Sequence, residues 1–233
     1  MNLFLSWFRP GGIFYTCRCA MCGNRLAAGE EVACADCYAL LEYTGQAAHS
    51  LDNELAHRLW VKTEVNRCAA LVLHSPHSRS GNMVYELKYC RHPEHGRWMG
   101  HMMAREMGCE GFFDDIDFVI PVPLAKVRLR QRGYNQSEEI ARGICEATGL
   151  EMRTDIVVRD TFVCSQTSLS PEQRAANVDG VFRLVNADAL KGRHVLVVDD
   201  VVTTGATMSA VANELLRAGD VTVSVAAWGM ARG

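Results

Sequence analysis

No stretch of this 233-residue chain approaches the ~18 uninterrupted apolar residues that a membrane-spanning helix needs, which argues against membrane insertion. Neither sign of charge is in large excess. The 24 basic and 27 acidic side chains leave a net charge of −3, so broad adhesion to nucleic acid or an anionic membrane is not expected, and any phosphate-binding patch must be local. Internal repeats and low-complexity tracts are missing, and a hydrophobic content of 48% excludes a disordered tail. The start, MNLFLSWFRPGG, lacks a basic leader region and is broken by Pro10-Gly11-Gly12; the expectation is a cytoplasmic protein without a targeting segment. There is also no Walker A loop and no Gly-x-Gly-x-x-Gly dinucleotide fingerprint.

Cysteine, by contrast, is plentiful: ten residues, five of them between Cys17 and Cys37. Such clustering in a cytosolic setting favours metal over disulfides. Cys19-x-x-Cys22 and Cys34-x-x-Cys37, eleven residues apart, have the spacing of two knuckles sharing one tetrahedral Zn²⁺. Four thiolates leave no open coordination position, so the expected zinc is structural. Cys17 is left over, and could replace Cys19 only by altering the knuckle. Cys68, Cys90, Cys109, Cys145 and Cys164 show no pairing and are expected to be small core residues. His92, His95 and His101 straddle Pro93 and a helix start without a well-spaced carboxylate, and read as surface or cap residues.

Composition divides the chain into a Cys- and Gly-rich lobe (1–42), a connector (43–64) with Leu51, Leu55 and Leu59 at helical spacing, and a main domain (65–233). Within the main domain, residues 69–74, 118–123, 194–199 and 221–228 have the length and β-branched content of buried strands. Helical patterns separate them: a methionine face at Met99, Met102, Met103 and Met107; Ile140, Ile144 and Cys145 after an Asn135/Glu138 capping box; and Met208 to Leu216 before Gly219. The order predicts an α/β fold, a parallel or mixed sheet flanked by helices, with ligands beyond the carboxyl ends of its strands.

The most informative stretch is VLVVDDVVTTGATM, residues 195–208. An apolar strand delivers two adjacent carboxylates, Asp199 and Asp200, to its carboxyl end, where the vicinal hydroxyls of a sugar could donate to them. The loop that follows Val201 is made of Thr203, Thr204, Gly205, Ala206 and Thr207, small residues whose backbone N–H groups can close around a phosphate at a helix start. Gly205 removes the side chain where the backbone must approach closest. A buried strand ending in a solvated acidic turn is the alternative, but it leaves the register of all four parts unexplained.

Two other segments are rich in polar groups. Lys126, Arg128, Arg130 and Arg132 lie within seven residues in a segment that continues through Gly133 and Tyr134; they are either a solvated charge run or cations for a pyrophosphate leaving group. Their place after a strand and before the Asn135 cap favours phosphate. Residues 159–182 are polar and long for a connection inside a compact domain, as in an active-site lid or an exposed connector.

The stretch 195–208 resembles the phosphoribosyl pyrophosphate (PRPP) motif of type I phosphoribosyltransferases. That resemblance implies that Asp199 and Asp200 bind the ribose hydroxyls and that Thr203 to Thr207 bind the 5′-phosphate, with Mg²⁺ accompanying PRPP. Arg159, Thr161, Gln166, Leu169, Arg174, Asn177 and Val178 resemble the flexible loop of glutamine-dependent amidophosphoribosyltransferases. In order, the Cys knuckles, Leu87-Lys88-Tyr89, VPVPL with RGYNQ, this loop pattern and VDDVVTTGAT make the chain similar to the ComF family over nearly its full length. Cys17-Arg18-Cys19 and segment 43–62 depart from the pattern. The resemblance alone draws attention to Lys88. It implies a PRPP-binding phosphoribosyltransferase fold with an N-terminal zinc lobe, transferring phosphoribosyl to an unassigned nitrogen nucleophile. Since some ComF members take part in importing single-stranded DNA during competence, it also implies an alternative: a non-catalytic, PRPP-responsive DNA-handling protein with a helicase as partner.

Overall fold

A computed structural model describes residues 18–160 and 181–232 of the chain. Its centre is a five-stranded sheet built from β1 (Cys68–His74), β2 (Phe118–Pro121), β3 (Glu151–Met152), β6 (Arg193–Val202) and β7 (Val221–Ala231) in the order β1-β7-β6-β2-β3, every neighbouring pair parallel. Val195 to Val198 of β6 are fully buried, as expected for a central parallel strand covered on both faces. A separate antiparallel pair joins β4 (Val157–Arg159) to β5 (Phe182–Leu184).

Helices cover both faces. On one side lie α3 (Arg79–Tyr89), α4 (Pro93–Gly108) and α6 (Gln136–Thr148), whose Met83, Met99, Met103, Ile140 and Ile144 pack with Trp228 of β7. The cysteine segment, with α1 (Ala35–Ala39), joins this layer through Cys19, Met21 and Cys37. On the other side, α2 (Glu54–Trp60) and the helix after β6, here α7 (Ala206–Leu216), pack Leu55, Leu59, Val211 and Leu215 against the sheet. The short helix α5 (Lys126–Arg132) follows β2.

Helices α4 and α6 meet backbone to backbone. A side chain added at Gly100 would begin 2.1 Å from the Ile140 carbonyl oxygen, and one at Gly143 would begin 2.1 Å from that of Arg97. The methionine stripe is core packing, as its period suggested.

Several local expectations give way to tertiary context. Asn135 caps α6 by accepting from the Ser137 N–H, but Glu138 pairs with Arg142 at 3.2 Å instead of closing a capping box. Residues 126–132 form a helix that no apolar stripe announced. Leu51 precedes α2 and is exposed, while Leu55 and Leu59 are buried. Cys90 and Cys109 are exposed rather than core; Cys68 is buried, Cys145 half-buried, and Cys164 lies outside the described residues. Within segment 43–64, Gln46 is buried and accepts from the Ala70 N–H at 2.9 Å, so this stretch runs against β1.

Candidate functional site

At the carboxyl end of β6, Asp199 sits level with Ala227 of β7, and the acid pair faces the start of α6 and the end of α3. Ser137 in the first turn of α6 donates its Oγ–H to Asp199 Oδ1 at 2.7 Å, and the Asp200 N–H donates to the same oxygen at 2.9 Å. Burial, reinforced by the Asp200 carboxylate beside it, pushes Asp199 well above the usual carboxylate range despite those donors. Asp200 is buried, and the Lys88 ammonium at the end of α3 lies 2.9 Å from its Oδ1. The two acids are therefore held differently, one by neutral donors and one by a cation.

The loop that follows is made of small residues and turns through a left-handed glycine. Gly205 has φ +77° and precedes α7, whose first turn begins at Ala206. A side chain at Gly205 would begin 2.7 Å from Leu59 Cδ2 of α2. Arg58, one residue earlier on α2, donates to the Thr203 carbonyl at 2.5 Å and to the Ala231 carbonyl at 3.0 Å while pairing with Glu54 at 2.7 Å. Asp199, Val201 and Thr203 to Thr207 line a pocket of about 40 Å³, polar and open. The arrangement is a small polar pocket of hydroxyl and small residues beside Asp199.

Of the basic residues, Arg128 and Arg132, one turn apart on α5, join Lys88, Tyr89 and Arg91 around a cleft of about 510 Å³. Lys126, at the start of α5, is exposed and does not line it, nor does Arg130. Gly133 closes α5 at φ +87° with open space around it, a turn residue rather than a lining one. Arg159, at the end of β4, stacks on the Phe182 ring at 5.2 Å; burial and the nearby Arg128 lower its affinity for a proton, and Asp199 opposes them. Gln166 and Arg174 lie outside the described residues.

Sequence reasoning passed over Ser137, Arg58 and His74. His74, the last residue of β1, fills the space left by Gly229, its Cβ 3.0 Å from where a Gly229 side chain would begin. Its buried Nδ1 finds no partner among the described residues. Burial, with Lys88 nearby, lowers the affinity of this imidazole for a proton; Asp200 acts in the opposite sense. Aromatics also lie beside the basic run: the exposed Tyr85 and Tyr89 rings are 5.0 Å apart, and the Arg132 guanidinium sits 5.8 Å over Tyr89.

Cys19, Cys22, Cys34 and Cys37 converge, their sulfurs all within 4.8 Å of one another, and together they could hold a metal ion. Burial pushes the Cys37 thiol up and works against Cys19 as well. At Cys19, however, backbone N–H groups from Cys34, Met21 and Cys22 outweigh it and bring the thiol down. A second group is His92, Glu94 and His95. Glu94 lies 2.7 Å from His92, so a carboxylate is at hand; His92 is the N-cap of α4, as expected, whereas His95 is buried beneath the stacked His92 ring.

Residues 100–228 match the family model described as phosphoribosyl transferase domain. The chain is 32% identical over 146 residues to the DNA utilization protein YhgH of Shigella flexneri, covering 61% of this chain and 63% of that protein. It is 34% identical over 115 residues to Competence protein F of Haemophilus influenzae, covering 49% of each. The chain thus spans less than two thirds of the length of these relatives. Among solved structures, a glutamine PRPP amidotransferase from B. subtilis complexed with ADP and GMP is similar at TM-score 0.41 and 24% identity, over 57% of this chain and 26% of that one. A hypoxanthine phosphoribosyl transferase from Trypanosoma cruzi gives TM-score 0.37 and 14% identity, over 57% and 64%. Among the described residues, no helix is long and apolar enough to cross a membrane.

Proposed function

Because this chain belongs to the phosphoribosyl transferase domain family, as a ComF family member, we propose that it binds PRPP and transfers its phosphoribosyl group to a nitrogen nucleophile, releasing pyrophosphate. The observation that carries this reading is the acid pair at the end of β6, with Asp199 held by Ser137 and Asp200 by Lys88, immediately before the Thr203 to Thr207 loop.

In this reading Asp199 and Asp200 accept hydrogen bonds from the ribose 2′ and 3′ hydroxyls, and the loop amides hold the 5′-phosphate. Lys88, Arg128 and Arg132 face the charge that develops on the pyrophosphate oxygen. The nitrogen lone pair forms the new bond to the anomeric carbon as the carbon–oxygen bond breaks, its electron pair leaving on pyrophosphate. The nitrogen then loses its proton to solvent. Fixing the reactants against each other supplies most of the acceleration, and no covalent protein nucleophile is needed. Two adjacent carboxylates at a polar strand end fit the Mg²⁺ that accompanies PRPP in this family; bound there, it would offset the negative charge of the leaving group. The four converging sulfurs fit one Zn²⁺, held by Cys19, Cys22, Cys34 and Cys37 in a structural role.

Phosphorus NMR of Mg²⁺-PRPP with the full chain tests the reading. Broadening of the PRPP resonances is expected with the wild type and not with the Asp199→Asn/Asp200→Asn variant; equal broadening with both would refute the site. Acceptor-dependent release of pyrophosphate would establish the transfer.

A second reading is a non-catalytic, PRPP-responsive protein that handles single-stranded DNA beside a competence helicase. It is favoured by Arg132 over Tyr89 next to Arg128, a cation-and-ring pairing suited to nucleotides, and by the names of the relatives. Oligonucleotide affinity falling steeply with salt is its expected signature.

A further inference from the structure

Helix α2 comes before residues 100–228, which match the family model, yet it grips the small loop beyond the acid pair. The pairing of β6 with β7 runs as far as Val202 opposite Met230. One nitrogen of Arg58 takes over at that point. It donates to the carbonyl of the next residue on each strand, Thr203 at 2.5 Å and Ala231 at 3.0 Å. Leu59 meets Gly205, and the Lys62 carbonyl just past α2 accepts from Asn213 of α7 at 3.0 Å. The loop is therefore tied to α2 at its entry, at its glycine and through the helix that it opens. Glu54 pairs with the same guanidinium at 2.7 Å and offsets its charge, so Arg58 acts on the loop through these bonds rather than as a remote charge.

A bond at the Thr203 carbonyl also orients its neighbour. Across a trans peptide the C=O and the following N–H point in opposite directions, so a carbonyl turned toward α2 turns the Thr204 N–H away from it. Among the described residues no backbone carbonyl accepts that N–H. Thr204 lines the polar pocket beside Asp199, whereas Arg58 does not. We propose that Arg58 is a positioning residue for anion binding: by pinning the Thr203 carbonyl to α2 it keeps the Thr204 N–H free to donate to a phosphate, without touching the ligand itself. The inference rests on the reading of that pocket as the 5′-phosphate subsite, and deepens it by assigning the loop's geometry to a helix outside the matched residues.

The test titrates the full chain with ribose 5-phosphate and, separately, with pyrophosphate, followed by phosphorus and amide NMR. In the wild type the Thr204 amide resonance is expected to move on adding ribose 5-phosphate. Arg58→Met should weaken ribose 5-phosphate about tenfold, the scale of one hydrogen bond to a charged group, and leave pyrophosphate affinity unchanged. Arg58→Lys, whose ammonium can still donate to both carbonyls, should restore most of the loss. Ribose 5-phosphate that binds the wild type without moving the Thr204 amide would overturn the proposal, whether or not the Met variant folds. So would equal ribose 5-phosphate affinity in the wild type and a folded Arg58→Met, or equal weakening of both ligands, which marks a general loss of structure. If the wild type bound neither ribose 5-phosphate nor Mg²⁺-PRPP, the preceding reading would fail and this inference with it, an outcome seen directly in the phosphorus spectrum.

Discussion

Substituting alanine at Gly205 tests whether the tight loop and the helix packed over it form one unit. Two costs are legible in the structure. The residue sits at φ +77°, where a Cβ costs roughly 1–2 kcal/mol, and the same Cβ would begin 2.7 Å from Leu59 Cδ2. Leu59 is fully buried and cannot swing into solvent, so overpacking adds about 1–3 kcal/mol. Gly149 provides the control: its φ is +80°, but nothing lies within 4 Å of its added Cβ. Gly149→Ala should therefore show the dihedral cost alone. The difference between the two variants, read by thermal and urea unfolding, isolates the Leu59 contact at about 1–3 kcal/mol; each kcal/mol corresponds to roughly 2–4 °C in a chain of this size. Relief of the contact in Gly205→Ala/Leu59→Ala should appear as non-additivity in a double-mutant cycle. If Gly205→Ala were no more destabilising than Gly149→Ala, or if the two changes added simply, the reasoning would fail.

Lys88→Met should destabilise the fold by about 1–3 kcal/mol, because Asp200 would keep a buried carboxylate without its cation; Lys88→Met/Asp200→Asn should recover part of the loss in urea unfolding. Asp199 is raised above its unfolded value, so its contribution to stability is complete below the ordinary carboxylate pKa and is lost as pH rises through the folded value. In magnesium-free buffer, wild-type stability should fall over that window, and an Asp199→Asn variant with an unchanged pH profile would contradict the assignment. Removing metal with a strong chelator should expose the thiols of Cys19, Cys22, Cys34 and Cys37 to a thiol reagent; unchanged reactivity, with no zinc found by elemental analysis, would dismiss the structural metal. Gly143→Ala should cost about 1–3 kcal/mol through the α4–α6 contact, and a neutral result in thermal unfolding would mean that the helices part easily.

Where chemistry and local structure share a short window, the sequence was readable. The apolar run of β6, the acid pair, the small loop and the start of α7 are contiguous, so each supports the interpretation of the others. The four cysteines were readable for the same reason. Arg58 was not, because it meets the Thr203 carbonyl 145 residues away, and nothing near it in sequence hints at a phosphate loop. Ser137 reaches Asp199 across 62 residues, and its neighbours in sequence mark only a helix start. The charges of Lys126, Arg128, Arg130 and Arg132 were visible, but which of them turn toward Lys88 depends on a helix that carries no apolar period. Leu51 shows the converse error, a period extended one turn beyond the helix that it described.

The position of β7 has a consequence for the order in which the molecule can be assembled. This strand lies between β1 and β6, and it comes after both in the chain. Until residues 221–231 have been synthesised, β1 has no neighbour in the sheet and Arg58 lacks the Ala231 carbonyl that helps to anchor it. A nascent chain ending at α7 would already contain the acids and the phosphate loop while leaving one edge of β6 open. Such open edges recruit other strands, and non-local parallel pairing is slow. Ribosome-bound chains truncated before residue 221 should therefore be protease-sensitive along β1 and prone to association, and should acquire protection in a single late step.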